Sequence, residues 1–94
     1  MPDPALEQDI TVINPTGLHA RPASAIVMAV AASDCSIQIS NPATGMTADG
    51  NSTIALLTLG AEAGTRLHIR VTGNGAEALL ATIVRLFETG FSEK

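Results

Sequence analysis

Apolar and polar residues change period several times along this chain, and each change predicts an element. Over residues 9–14, Ile10 and Val12 alternate with polar neighbours, the two-residue period of a first strand. Asn14-Pro15-Thr16-Gly17 is a turn cluster that ends it. Over about residues 20–32, Ala23, Ile26, Val27 and Val30 fall at i, i+3, i+4 and i+7, which predicts a helix with one buried face. Arg21, Ser24 and Met28 lie on another stripe of that helix. Ser33-Asp34 close it, and Cys35, Ile37 and Ile39 then alternate with Ser36, Gln38 and Ser40 as a half-buried strand. Cys35 reads as a small core residue.

After the turn Asn41-Pro42-Ala43-Thr44-Gly45, residues 46–48 predict a short strand. Asp49-Gly50-Asn51 turns into a short helix over about 53–59 with Ser52 as N-cap. Leu56 and Leu59 face inward there, while Ile54 and Leu57 stay outside. Gly60 and Gly64 bracket a loop, and residues 66–71 alternate again with Leu67, Ile69 and Val71 inward. Thr72-Gly73-Asn74-Gly75 reads as a turn. The last helix runs over about 76–88, with Leu79, Leu80, Ile83, Leu86 and Phe87 inward and Gly90 as its stop. The expected order is strand, helix, strand, strand, helix, strand, helix, an α+β domain with helices on one face of an antiparallel sheet. Residues 1–8 read as a flexible leader, 9–90 as the domain and 91–94 as a C-terminal tail.

Composition narrows what such a domain does. Its 94 residues suit one domain with a modest core, and 46% apolar residues are too many for a disordered chain. The chain has two Phe, no Tyr or Trp, and a net charge of −4. That disfavours base stacking and phosphate-backbone binding, so no nucleic-acid partner is expected. Cys35 is the only cysteine, which rules out an intrachain disulfide and a Cys-rich metal site. No basic apolar leader or membrane-length run is present, which favours a cytoplasmic protein without membrane insertion.

The candidate chemistry sits in Gly17-Leu18-His19-Ala20-Arg21-Pro22-Ala23, an imidazole where a loop becomes a helix. A helix start is an anion site, because its first N–H groups lack partners and the dipole adds positive charge. Pro22 suits the first turn, which needs no N–H from it. An imidazole such as that of His19 can attack phosphorus as a neutral ring, then leave again. Arg21 has a planar fork suited to phosphate oxygens, and the N–H groups of Ala20 and Arg21 are backbone donors. Arg21 near a helix start is mildly unfavourable by about 0.3–1 kcal/mol, a mismatch that a visiting anion relieves. His68, on an outward strand position, reads as a surface histidine. Two distant histidines give no metal-ligand spacing, and no G-x-S-x-G elbow, P-loop or dinucleotide fingerprint occurs.

The same stretch, with Asn14-Pro15-Thr16 before it and Ser24 after it, closely resembles the active-site segment of the HPr family, the histidine-containing phosphocarriers of the bacterial sugar phosphotransferase system. A second stretch, from Asp49-Gly50-Asn51-Ser52 through Thr53-Ile54-Ala55-Leu56-Leu57-Thr58-Leu59-Gly60, looks like that family's regulatory-serine helix. The likeness runs from about Gln8 to Glu88. It implies an HPr-like open-faced β-sandwich, βαββαβα, with three helices on one face of a four-stranded antiparallel sheet. It further implies that Nδ1 of His19 takes phosphate from Enzyme I and passes it to an EIIA-type acceptor, with Arg21 stabilising the phosphoryl group. No cofactor and no metal are implied, and the chain is expected to be a monomer that carries phosphate transiently rather than an enzyme with its own turnover.

Ser24, Met28, Ile54 and Leu57 are expected to form an apolar docking patch. Ser52 matches a serine that some family members phosphorylate for regulation, although a plain N-cap explains it without further function and is the preferred reading. Asn51 stands where many relatives have lysine, and the first helix lacks the lysines common there. The run Leu86-Phe87-Glu88-Thr89-Gly90-Phe91 also looks like HPr modules fused inside fructose-type multiphosphoryl proteins or the phosphotransfer subunit of dihydroxyacetone kinase. A non-catalytic docking module switched at Ser52 is the alternative of a different class.

Overall fold

Residues 5–93 are described by the structure, a computed structural model. They form four strands, three α-helices and a closing 3-10 turn: β1 (Leu6–Thr11), α1 (Ala20–Ala31), β2 (Asp34–Asn41), β3 (Met46–Asp49), α2 (Thr53–Leu57), β4 (Arg66–Asn74), α3 (Ala76–Glu88) and the turn Gly90–Ser92. The order expected from the alternation is the order found.

All pairings are antiparallel, in the spatial order β1-β4-β2-β3. Ile37 sits opposite Val71 and Ile39 opposite Ile69, so the inward residues of the two central strands share one face. The helices cover that face. Ile26 of α1, Leu56 of α2, and Ile83 and Phe87 of α3 are fully buried with Leu67, Ile69 and Val71 of β4. Each such side chain contributes about 1.5–3 kcal/mol relative to exposure, which fixes the helices on the sheet. The opposite face carries Ser36, Gln38, Arg70 and His68, the polar half of the two-residue period.

Two boundaries and the burial of one residue differ from the pattern. Leu6, Glu7 and Gln8, expected in the leader, belong to β1 and pair with Val71, Arg70 and Ile69. A strand's start is set by its partner, and β4 is long enough to hold them. Residues 1–4 of that leader, like residue 94 of the tail, lie outside the described residues. Second, Asp34 opens β2 rather than closing α1, and Thr72-Gly73-Asn74, expected as a turn, completes β4 opposite it. Gly73 has φ +116°, and a Cβ there would meet Cys35 Cα at 3.0 Å and Asp34 O at 3.1 Å. Glycine thus marks a close strand crossing rather than a turn. Third, Cys35 is half-buried at the sheet end, where its Sγ donates to Asn74 O at 3.0 Å.

Candidate functional site

The loop before α1 is held by its backbone and one side chain. Gly17 N donates to Asn14 O at 3.1 Å, and Leu18 N to Ala61 O at 2.8 Å. Gly17 has φ +71°, and a Cβ there would sit 2.5 Å from Ala61 O, so glycine is required on both counts. Leu18 is buried, and Asn14, itself buried, donates from Nδ2 to Gly17 O at 2.6 Å. The segment is therefore anchored immediately before the next residue, His19.

His19 is the N-cap of α1 with extended φ/ψ, and its carbonyl accepts from Ala23 N at 3.0 Å. The His19 side chain makes no capping hydrogen bond to the helix. The N–H groups of Ala20 and Arg21 are the first two helical donors, which α-helix geometry leaves without intrahelical partners, and Pro22, buried at the third position, has none to leave. The His19 side chain is 41% exposed. Arg21 is exposed two residues on, and among the described residues its guanidinium enters no ion pair.

The ring has one firm partner that sequence reasoning missed. His19 Nε2 lies 2.5 Å from Glu93 Oε2. Thr16 Oγ1 is 2.7 Å from both oxygens of the same carboxylate, and Asn14 Nδ2 reaches Oε1 at 3.3 Å. These donors, His19 first, then Thr16 and Asn14, hold the Glu93 carboxyl down to about 2 against an ordinary 4.5. An ionised carboxylate only accepts, so the proton of the contact belongs to Nε2. The closing turn delivers Glu93: Phe91 packs edge-on against Phe87 at 4.9 Å, and both Phe91 (φ 54°) and Ser92 (φ 61°) are left-handed. The contact joins residues 74 apart in sequence. The one local signal for it is the trio Asn14, Thr16 and His19, donors grouped without an acceptor of their own.

The remaining expected positions divide. Ser24 and Met28 on α1 and Ile54 and Leu57 on α2 are all exposed, Met28 by 72% and Ile54 by 78%, on two helices that touch. Ser52 is the N-cap of α2, its Oγ accepting from Ala55 N at 3.2 Å. Its hydroxyl oxygen thus does the capping work that explains a serine there. His68 stands on the open sheet face, where Nδ1 meets Asp9 Oδ1 at 2.7 Å and Nε2 meets Glu7 Oε1 at 2.8 Å, and Arg66 pairs with Asp9 at 2.7 Å. The surface histidine is thus bound between two carboxylates of the neighbouring strand, an arrangement fixed by the β1–β4 register. Among the described residues, no group of three or more His, Cys, Asp or Glu is placed to hold a metal ion. Nor is any helix there long and apolar enough to cross a membrane.

Comparison with known proteins agrees with this geometry. Residues 6–89 match the family described as the HPr component phosphorylation site of the phosphotransferase system. The chain is 34% identical over 88 residues to phosphocarrier protein NPr of Escherichia coli K12, covering 94% of this chain and 97% of that one. It is 37% identical over 91 residues to phosphocarrier protein HPr of Pseudomonas aeruginosa, covering 96% and 97%. A multiphosphoryl transfer protein of Salmonella typhimurium matches at 33%, with 97% of this chain covering 24% of that protein. Among solved structures, HPr from Thermoanaerobacter tengcongensis superposes with a TM-score of 0.87 at 27% identity, covering 95% of this chain and 98% of that one. The family match over nearly the whole chain, the coverage of whole carriers end to end and the shared fold together establish that the chain belongs to the HPr family, the phosphocarriers of the phosphotransferase system.

Proposed function

We propose that His19 is the residue that carries the phosphate, receiving it on Nδ1 from the phosphohistidine of an Enzyme I-type donor and passing it to an EIIA-type acceptor. The observation that supports this reading best is the placement of His19: a residue with a part-exposed imidazole at the N-cap of a helix whose first two N–H groups have no side-chain partner among the described residues. In the transfer, the Nδ1 lone pair forms the new N–P bond while the donor's N–P bond breaks and its ring keeps the electron pair. The reaction needs alignment and charge neutralisation more than covalent help. Ala20 N–H, Arg21 N–H and the exposed Arg21 guanidinium supply the charge.

Docking falls to Ser24, Met28, Ile54 and Leu57. With Arg21 the only basic residue on α1 or α2 and a net charge of −4, long-range steering contributes little and apolar contact carries the encounter. An acceptor of the fructose-type multiphosphoryl or dihydroxyacetone kinase class fits the same surface. The match inside a longer multiphosphoryl transfer protein favours it.

Incubation with Enzyme I and labelled phosphoenolpyruvate tests the assignment. Wild type is expected to take up label and His19→Ala to take up none. Equal labelling of the two proteins would sink it.

A further inference from the structure

The Glu93 carboxylate lies against Nε2 of the His19 ring, at the nitrogen that does not take the phosphoryl group in the proposed transfer. We infer that Glu93 is a positioning residue for the phosphocarrier histidine, holding the proton on Nε2 so that the Nδ1 lone pair faces the incoming phosphorus. The inference rests on His19 being the carrier, and it goes beyond that reading by assigning a role to a residue of the C-terminal turn.

Three observations carry it. The contact is direct and short, 2.5 Å from Nε2 to Oε2, while among the described residues no hydrogen bond engages Nδ1. One ring nitrogen is thus held and the other left open. The carboxylate is also built in rather than loosely draped: Thr16 and Asn14 bind it from the loop that carries His19, and its side chain is 16% exposed. Finally, the backbone that delivers it is strained, since Phe91 and Ser92 both adopt left-handed φ without being glycine. Such conformations persist only where surrounding contacts hold them, here the Phe91–Phe87 packing and the Glu93 bonds.

The chemical consequence is specific. When Nδ1 forms its bond to phosphorus, the ring becomes cationic with its proton still on Nε2. A carboxylate hydrogen-bonded to that proton stabilises the cation, as it orients a histidine in other nucleophile–base pairs. When the N–P bond breaks toward the acceptor, its electrons go back to Nδ1 and the neutral Nε2–H form is restored. No proton has to move in either direction, because Glu93 keeps it in place throughout.

The test compares wild type, Glu93→Ala and His19→Ala by two readouts. One is the ¹⁵N spectrum of the His19 ring at a pH where it is neutral. The other is the single-turnover rate of phosphoryl uptake from Enzyme I, with amide spectra confirming that the sheet and α1–α3 are unchanged. Wild type is expected to show protonated Nε2 and bare Nδ1. In Glu93→Ala both nitrogens should move toward the averaged shifts of exchanging tautomers, with uptake slower by about tenfold. Unaltered shifts and rate in Glu93→Ala would overturn the positioning role while leaving the carrier assignment intact. Faster uptake would also overturn it, because Glu93 would then be an obstruction over the ring. Uptake by His19→Ala equal to wild type would instead remove the carrier reading beneath it.

Discussion

Both histidines of this chain meet carboxylates, and the geometry separates their roles. His19 has one nitrogen held by Glu93, while among the described residues no hydrogen bond engages the other. His68 has both nitrogens taken, by Asp9 and Glu7, which leaves its ring no lone pair for chemistry. Its charge is a stability matter. The hydrogen bonds to Asp9 and then Glu7 raise His68 above its usual 6.5, and the bonds from His68 and then Arg66 lower Asp9 below 3.8.

Opposite shifts act at opposite ends of the pH scale. His68 contributes stability that is fully present below pH 6.5 and disappears as pH rises through its raised value. Asp9 contributes stability present above 3.8 and lost as pH falls through its lowered value, and the Glu93 contact is present above 4.5 and lost as pH falls toward about 2. Chemical denaturation against pH is expected to give a plateau in the mildly acidic range that declines on both sides. With His68→Asn, the alkaline decline should shrink and the acid limb attributable to Glu93 should persist. An unchanged alkaline limb would remove His68 as its source.

At the scale of elements, α1 and α2 are where the hydrophobic pattern and the proposed docking surface meet. The pattern predicts buried Leu56 and Leu59 beside exposed Ile54 and Leu57, and the structure places all four so. A helix of five residues cannot stand alone, and Ser52 at its N-cap together with the buried Leu56 holds it against α1. Ile54, 78% exposed, adds nothing to that core. Ile54→Ser is therefore expected to change stability by less than about 0.5 kcal/mol while slowing transfer from Enzyme I by about tenfold, as for an anchor at a small interface. Denaturation and transfer rates measured on one preparation separate the two effects. A full transfer rate with Ile54→Ser would place the docking surface elsewhere.

For the whole molecule, what was legible in the sequence was whatever depends on neighbours in the chain. The period-three-to-four spacing of Leu79, Ile83 and Phe87 predicts α3, and the alternation of Leu67, Ile69 and Val71 predicts β4. The Gly17–Ala23 stretch predicts a histidine at a helix start. What depends on distant pairing was not legible. Leu6–Gln8 become strand because β4 extends opposite them, and Gly73 reads as a turn until its closeness to Cys35 is known. Glu93 reaches His19 across nearly the full length of the chain by way of a strained turn, a path no periodicity announces.

These scales converge on one atom, Nδ1 of His19, as the proposed acceptor of phosphorus. The most direct measurement is a spectrum of ¹⁵N-histidine-labelled protein after phosphorylation by Enzyme I, read for coupling between ¹⁵N and ³¹P. Coupling to Nδ1 of His19, with Nε2 still protonated, is the predicted result. Phosphorus on Nε2, on His68 or on no histidine would contradict it.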